Sequence, residues 1–157
     1  MDALGLLLHD HDVLTSHVEH VAGLVAMVGS RAEPDMGLIG ELLRQTELLR
    51  DALMQHFGFE EESAFPTLRE MMPVLAAEID MLYSGHDQIS EAVAVFERSL
   101  RDAKRADRRA EILAGYEGFS TSYHAHVADE SRILTKVADA MSPTARWDFA
   151  ERTKAHL

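Results

Sequence analysis

The chain has 157 residues, 46% of them hydrophobic, which suffices for one domain with a buried core and is unlike a disordered or fibrous composition. Twenty-seven acidic residues against 15 basic ones give a formal net charge of −12, which argues against a nucleic-acid partner, because phosphate backbones are gripped by clustered Lys and Arg. Cysteine is absent, so disulfides, thiolate metal sites and cysteine nucleophiles are excluded together, and any metal must be held by imidazole and carboxylate.

The first predicted helix runs from about Asp2, as its N-cap, to Val28, with Leu4, Leu7, Leu14, Val18, Val21 and Val25 forming its apolar stripe. Gly29 to Gly37, containing Pro34, reads as a turn. The second helix carries Leu42, Leu49 and Leu53 and extends to around Met71, with Pro66 expected to kink or end it. Pro73 suits the first turn of a third helix, whose stripe is Ile79, Leu82, Ile89, Val93 and Leu100. The charged stretch Arg101 to Arg109 is the next turn, and a fourth helix shows Ile112, Phe119, Ile133 and Val137. Ser142-Pro143 reads as an N-cap and N1 pair opening a short fifth helix through Trp147 and Phe149.

No strand-type alternation or hairpin signal interrupts this pattern. The expected fold is therefore all-α: an up-down-up-down four-helix bundle over about 2–141, then a short C-terminal helix over about 143–156, in a single domain of residues 1–157. No run approaches the ~18 apolar residues of a membrane span, and the N-terminus lacks the basic region of a secretory signal, so the expectation is cytoplasmic with no membrane partner. Trp147 is expected either to help cap the bundle or to form a homodimer contact.

Nine histidines are present, and helical phase separates them. At about 100° per residue, His11 falls within about 60° of Leu4, Leu7, Leu14 and Val18, whereas His9, His17 and His20 point about 120° or more away. By the same measure His56 lines up with Leu49, His86 lies among Ile79, Leu82, Ile89 and Val93, and His126 lines up with Phe119, while His124 faces away. Each long helix thus turns one imidazole inward. Two of these are followed at i+4 by a carboxylate on the same face, His56 by Glu60 and His126 by Glu130. Glu61, about 140° round the helix, is not expected to join them. A lone His-x-x-x-Glu is common by chance in so acidic a chain; the layout is not. Helix-His, turn, helix-His-x-x-x-Glu occurs twice, with 45 residues from His11 to His56 and 40 from His86 to His126, as two halves related by an approximate two-fold axis would require. Four buried imidazoles and two buried carboxylates cost several kcal/mol each unless paired or metal-bound. A metal cluster removes that cost, so His11, His56, Glu60, His86, His126 and Glu130 are the expected metal ligands.

These residues resemble the hemerythrin-like, HHE cation-binding family from His11 to Leu134. His56-Phe57-Gly58-Phe59-Glu60-Glu61 followed by Ala64-Phe65-Pro66 is similar to the family's H-x-x-x-E-E-x-x-x-F-P stretch. Gly85-His86-Asp87-Gln88-Ile89 and Asp10-His11-Asp12-Val13-Leu14 are similar to its single-histidine helices. The fourth helix departs from the pattern, with Ser131 in place of the second Glu and Lys136 in place of the Pro. The resemblance implies two non-haem irons with an oxo or hydroxo bridge, Glu60 and Glu130 bridging and the four histidines terminal. Ferritin-like bundles use Glu-x-x-His instead, and this sequence has none. Oxygen-carrying members have another histidine four residues after the third-helix one; here that position is Ser90, which leaves open positions on both metals.

Imidazole with carboxylate suits iron or manganese and accepts zinc. The expected function is binding of, or reaction with, O2, NO or peroxide, in sensing, stress response, peroxide or NO turnover or iron-centre repair. The alternative is an iron-handling or metal-regulated interaction domain without catalysis. Leu7, Leu14, Phe59, Leu82 and Phe119 are expected to line the pocket. Tyr123 and Tyr83 are either donors near the site or core, and Met54, Met71, Met72 and Met81 are expected to fill the core.

Overall fold

A computed structural model describes residues 3–33, 35–104 and 108–154. Asp2, Pro34, the middle of the charged 101–109 stretch and the end of the last helix lie outside the described residues. Six α-helices follow in order: α1 Ala3–Ser30, α2 Met36–Phe59, α3 Phe65–Met71, α4 Ala76–Arg101, α5 Arg109–Ala140 and α6 Pro143–Thr153. Among the described residues there is no strand, and no helix is long and apolar enough to cross a membrane.

The four long helices pack in a ring, α1 on α2, α2 on α4, α4 on α5 and α5 back on α1, giving the expected up-down-up-down bundle. Every stripe residue named from the sequence is buried. Asp35 caps α2 by accepting the Leu38 N–H at 3.0 Å, and Ser142 caps α6 by accepting that of Ala145 at 3.2 Å, with Pro143 at the first helical position. Pro73 opens a 3₁₀ turn, Pro73–Leu75, that leads into α4. Phe149 anchors α6 in the core, while Trp147 stands exposed. Met54 and Met81 are also exposed rather than core, which corrects the expectation for those two.

Pro66 neither ends the second helix nor is its neighbourhood ordinary α-helix. A π-helical turn, Glu60–Ala64, joins α2 to α3, and the Phe65 N–H reaches back to Glu60 O. Pro66 has no N–H to donate, so the Glu61 carbonyl is left without a helical partner. Tyr83 of α4 supplies one, its hydroxyl donating to Glu61 O at 3.3 Å. Tyr83 thus ties the widened turn to the neighbouring helix.

The apolar interior falls into two clusters. One contains Leu14, Val18, Leu49, Leu53, Ile89, Val93 and Phe119; the other contains Leu4, Leu7, Phe65, Leu68, Ile79, Leu82 and Ile133. Between them every long helix contributes a histidine to one polar layer.

Candidate metal centre

All six expected ligands meet in that layer. Glu60 and Glu130 are completely buried, and His11, His56, His86 and His126 are each more than nine-tenths buried. Glu60 Oε1 lies 2.9 Å from His56 Nε2 and 3.7 Å from His11 Nε2, while its Oε2 lies 3.0 Å from His86 Nε2. Glu130 Oε2 lies 3.0 Å from His11 Nε2 and 3.2 Å from His126 Nε2. Each carboxylate therefore sits between histidines of both halves of the chain. Donor atoms of His11, His56, Glu60 and Glu130 fall within 4.8 Å of one another, as do those of Glu60, His86 and His126. Two overlapping groups share Glu60.

All but the 3.7 Å separation are in hydrogen-bond range, yet none of the four Nε2 atoms and none of the four carboxylate oxygens has a hydrogen bond of acceptable geometry. Each such buried atom costs about 1–3 kcal/mol when left unsatisfied. A structural cluster of His–Glu hydrogen bonds would align N–H with oxygen; here the nitrogens and oxygens instead converge on common points. The donor set fits a cation held by imidazole and carboxylate.

Burial alone would make the His11 imidazolium more acidic, but the facing Glu130 and Glu60 carboxylates outweigh it and raise its pKa to about 10. His86 is shifted in the same direction, with burial opposed by Glu60 and Glu61. Burial likewise works against a charged Glu60, but His11, His56 and His86 hold it well below the usual carboxylate range. In metal-free protein the layer thus holds a charged cluster, an imidazolium at His11 beside the Glu60 carboxylate.

Aromatic and acidic side chains surround this layer. Phe59 is half-buried and lines the cavity that reaches His56, as expected, and Phe57 stacks its ring on His86 at 3.8 Å between centroids. Phe65 stacks on the same imidazole at 5.5 Å. Glu61 does not join the inward-facing donors, as its phase requires; its Oε1 instead lies 2.7 Å from the outer nitrogen of His86, Nδ1. Tyr123 is buried and shares a 2.9 Å hydrogen bond with Thr15 Oγ1, so it is a core residue with a satisfied hydroxyl. Ser90 Oγ lies 3.9 Å from Met54 Sδ on the neighbouring helix. His9, His20 and His124 are exposed and His17 is half-buried, as their phases require.

Two openings approach the layer. A cavity of about 560 Å³ between α1 and α2, lined by Asp10, Val13, Leu14, Gln55 and Glu62, reaches His56. A smaller one of about 230 Å³ between α4 and α5 reaches His126 past Gly85, Gln88 and Ser122. Gly85 is required there, because a Cβ at that position would overlap His126 Nδ1. Gly85→Ala is therefore expected to displace the His126 ring and weaken metal uptake roughly 10–100-fold, the scale seen when support of a ligand is lost. A metal titration that leaves uptake unchanged would contradict this role.

Residues 2–138 match the family profile described as the hemerythrin HHE cation binding domain. No curated protein and no solved structure gives a significant match.

Proposed function

Because the chain belongs to the hemerythrin HHE cation-binding family, we propose that it is a non-haem di-iron protein that binds or reacts with O2, NO or peroxide. The observation carrying this reading is the sharing of Glu60 and Glu130 between the two histidine pairs, His11 with His56 and His86 with His126. Carboxylates shared in this way would hold two cations close together, and among the described residues neither pair has a further imidazole to fill its remaining positions. Iron suits this mixed nitrogen and oxygen donor set, and the family match favours it over manganese or zinc. When bound, a pair of irons supplies two adjacent redox-active positions for a small diatomic ligand or peroxide.

The chain's own residues would perform three tasks. Glu60 and Glu130 neutralise cationic charge in a layer enclosed by apolar residues, where an uncompensated ion is costly. The stacked rings of Phe57 and Phe65 hold the His86 plane. Leu14 lines the cavity that reaches His56 and Leu82 the one that reaches His126, and with Leu7 and Phe119 of the two apolar clusters they would limit water while admitting small apolar gases. The absence of a histidine at Ser90 shifts the reading from reversible oxygen carriage towards redox turnover.

Exposing the reduced, iron-loaded protein first to O2 and then to peroxide separates binding from catalysis. A stable, reversible charge-transfer band supports binding, and consumption of peroxide without a stable adduct supports an enzyme. A spectrum that responds to neither O2, NO nor peroxide would contradict the proposal.

A further inference from the structure

The two halves of the bundle are alike in their inward-facing atoms and unlike one shell further out. His11 on α1 and His86 on α4 occupy corresponding places: each sets Nε2 3.0 Å from an oxygen of the carboxylate on another helix, Glu130 and Glu60 respectively. Their outer nitrogens differ. His86 Nδ1 meets Glu61 Oε1 at 2.7 Å, whereas His11 Nδ1 is buried with no hydrogen-bond partner. The sequence gives the reason. Glu61 follows Glu60 directly, and the residue that follows Glu130 is Ser131, which has no carboxylate to offer.

Local geometry adds to the contrast. A single stretch of chain fixes His86 from every side: Phe57 and Phe65 stack on its ring, Glu60 faces Nε2 and Glu61 takes Nδ1. The π-helical turn, tied by the Tyr83 hydroxyl to the Glu61 carbonyl, holds this stretch. His56 has nothing comparable; its Nδ1 is 3.9 Å from Asp10, beyond hydrogen-bond range.

An ionised carboxylate can only accept, so Glu61 requires the proton on Nδ1 and leaves the Nε2 lone pair directed at the layer. Such an outer carboxylate also makes the imidazole a stronger donor. We infer that Glu61 is a positioning residue that makes the two metal positions unequal: the ion held by His86 and His126 is bound more tightly than the ion held by His11 and His56. The inference rests on the two-metal reading above and adds an order to it, with the His86–His126 position filling first and emptying last.

Zinc(II) is a suitable probe because it has no redox chemistry and accepts imidazole and carboxylate. Protein loaded with two zinc ions is challenged with a chelator, and the affinity of each ion is read from its release, with thermal melting of the metal-free proteins measured alongside. Wild type is expected to release its ions in two steps. Glu61→Ala is expected to weaken the tighter ion by roughly 10–100-fold and leave the other unchanged. Glu61→Gln, whose side-chain carbonyl still accepts the Nδ1–H, should recover part of the loss. Equal affinities in wild type, an unchanged Glu61→Ala protein or equal weakening of both ions would overturn the inference. So would a Glu61→Gln protein no better than Glu61→Ala, or a loss explained by a lower melting temperature of the metal-free variant. If wild type binds two zinc ions but is purified without iron, only the di-iron reading fails; if it binds two and Glu61→Ala matches it, only the Glu61 role fails.

Discussion

Glu60→Ala is expected to abolish metal binding at both positions rather than at one. Its Oε1 faces His56 and His11 and its Oε2 faces His86, so removing the carboxylate takes a donor from both groups of ligands. It also removes half of the anionic charge that makes a cation tolerable in a fully buried layer. The effect should be readable as stability too. A ligand that binds only the folded chain stabilises it by about 4 kcal/mol when present at a thousand times its dissociation constant. Adding metal should therefore raise the melting temperature of wild type by several degrees and leave that of Glu60→Ala unchanged. His124→Ala, at an exposed position two residues from His126, should behave as wild type. A Glu60→Ala protein that retains its metal would show that Glu60 is not shared, and loss of metal in His124→Ala would mean that the α5 phase is wrong.

Raising pH should destabilise the metal-free protein and spare the metal-loaded one. His11 has an ordinary value of 6.5 and one of about 10 in the folded chain, because Glu130 and Glu60 outweigh the effect of burial. A raised value means that the interaction contributes in full below about 6.5 and is lost as pH climbs through about 10. At about 1.4 kcal/mol per tenfold change in proton affinity, a few kcal/mol are at stake. Glu60 works at the other end: its lowered value contributes above the ordinary 4.5 and is lost on strong acidification. In the loaded protein a metal replaces the His11 proton, so stability between pH 6.5 and 10 should flatten and loading at neutral pH should release protons. Denaturant melts across that window, with an indicator dye during loading, check both. A metal-free protein equally stable at both ends, or loading without proton release, would contradict the charged-cluster description.

Much of this centre was legible because a helix converts spacing into direction. Phase alone selected His11, His56, His86 and His126 and rejected His9, His20 and His124, and their burial agrees. The same arithmetic kept Glu61 out of the inward-facing set, but neither its contact with the outer nitrogen of His86 nor the π-helical turn Glu60–Ala64 follows from spacing within one helix. Pro66 was the visible warning: it signalled an interruption, but whether a chain answers a proline by ending, kinking or widening depends on what can satisfy the freed carbonyl. That partner, Tyr83, comes from another helix. Tertiary context also set Phe57, to which spacing assigned no role, against His86, while Phe59 lines the cavity at His56.

Glu97 shows why burial phase is insufficient by itself. It is as deeply placed on α4 as His86, but Arg50 Nη1 bonds both of its oxygens at 2.9 Å and Arg101 approaches at 3.2 Å. An arginine has already neutralised it. At Glu60 and Glu130 no Lys or Arg side chain among the described residues plays that part, and the charge is left to imidazoles and to any cation they hold.

The metal content of the purified chain, with an optical spectrum of the same sample, tests the di-iron assignment most directly. The shared carboxylates and paired histidines predict about two irons per chain and absorption from a coupled di-iron centre. One metal per chain, or none after loading with iron, would contradict it.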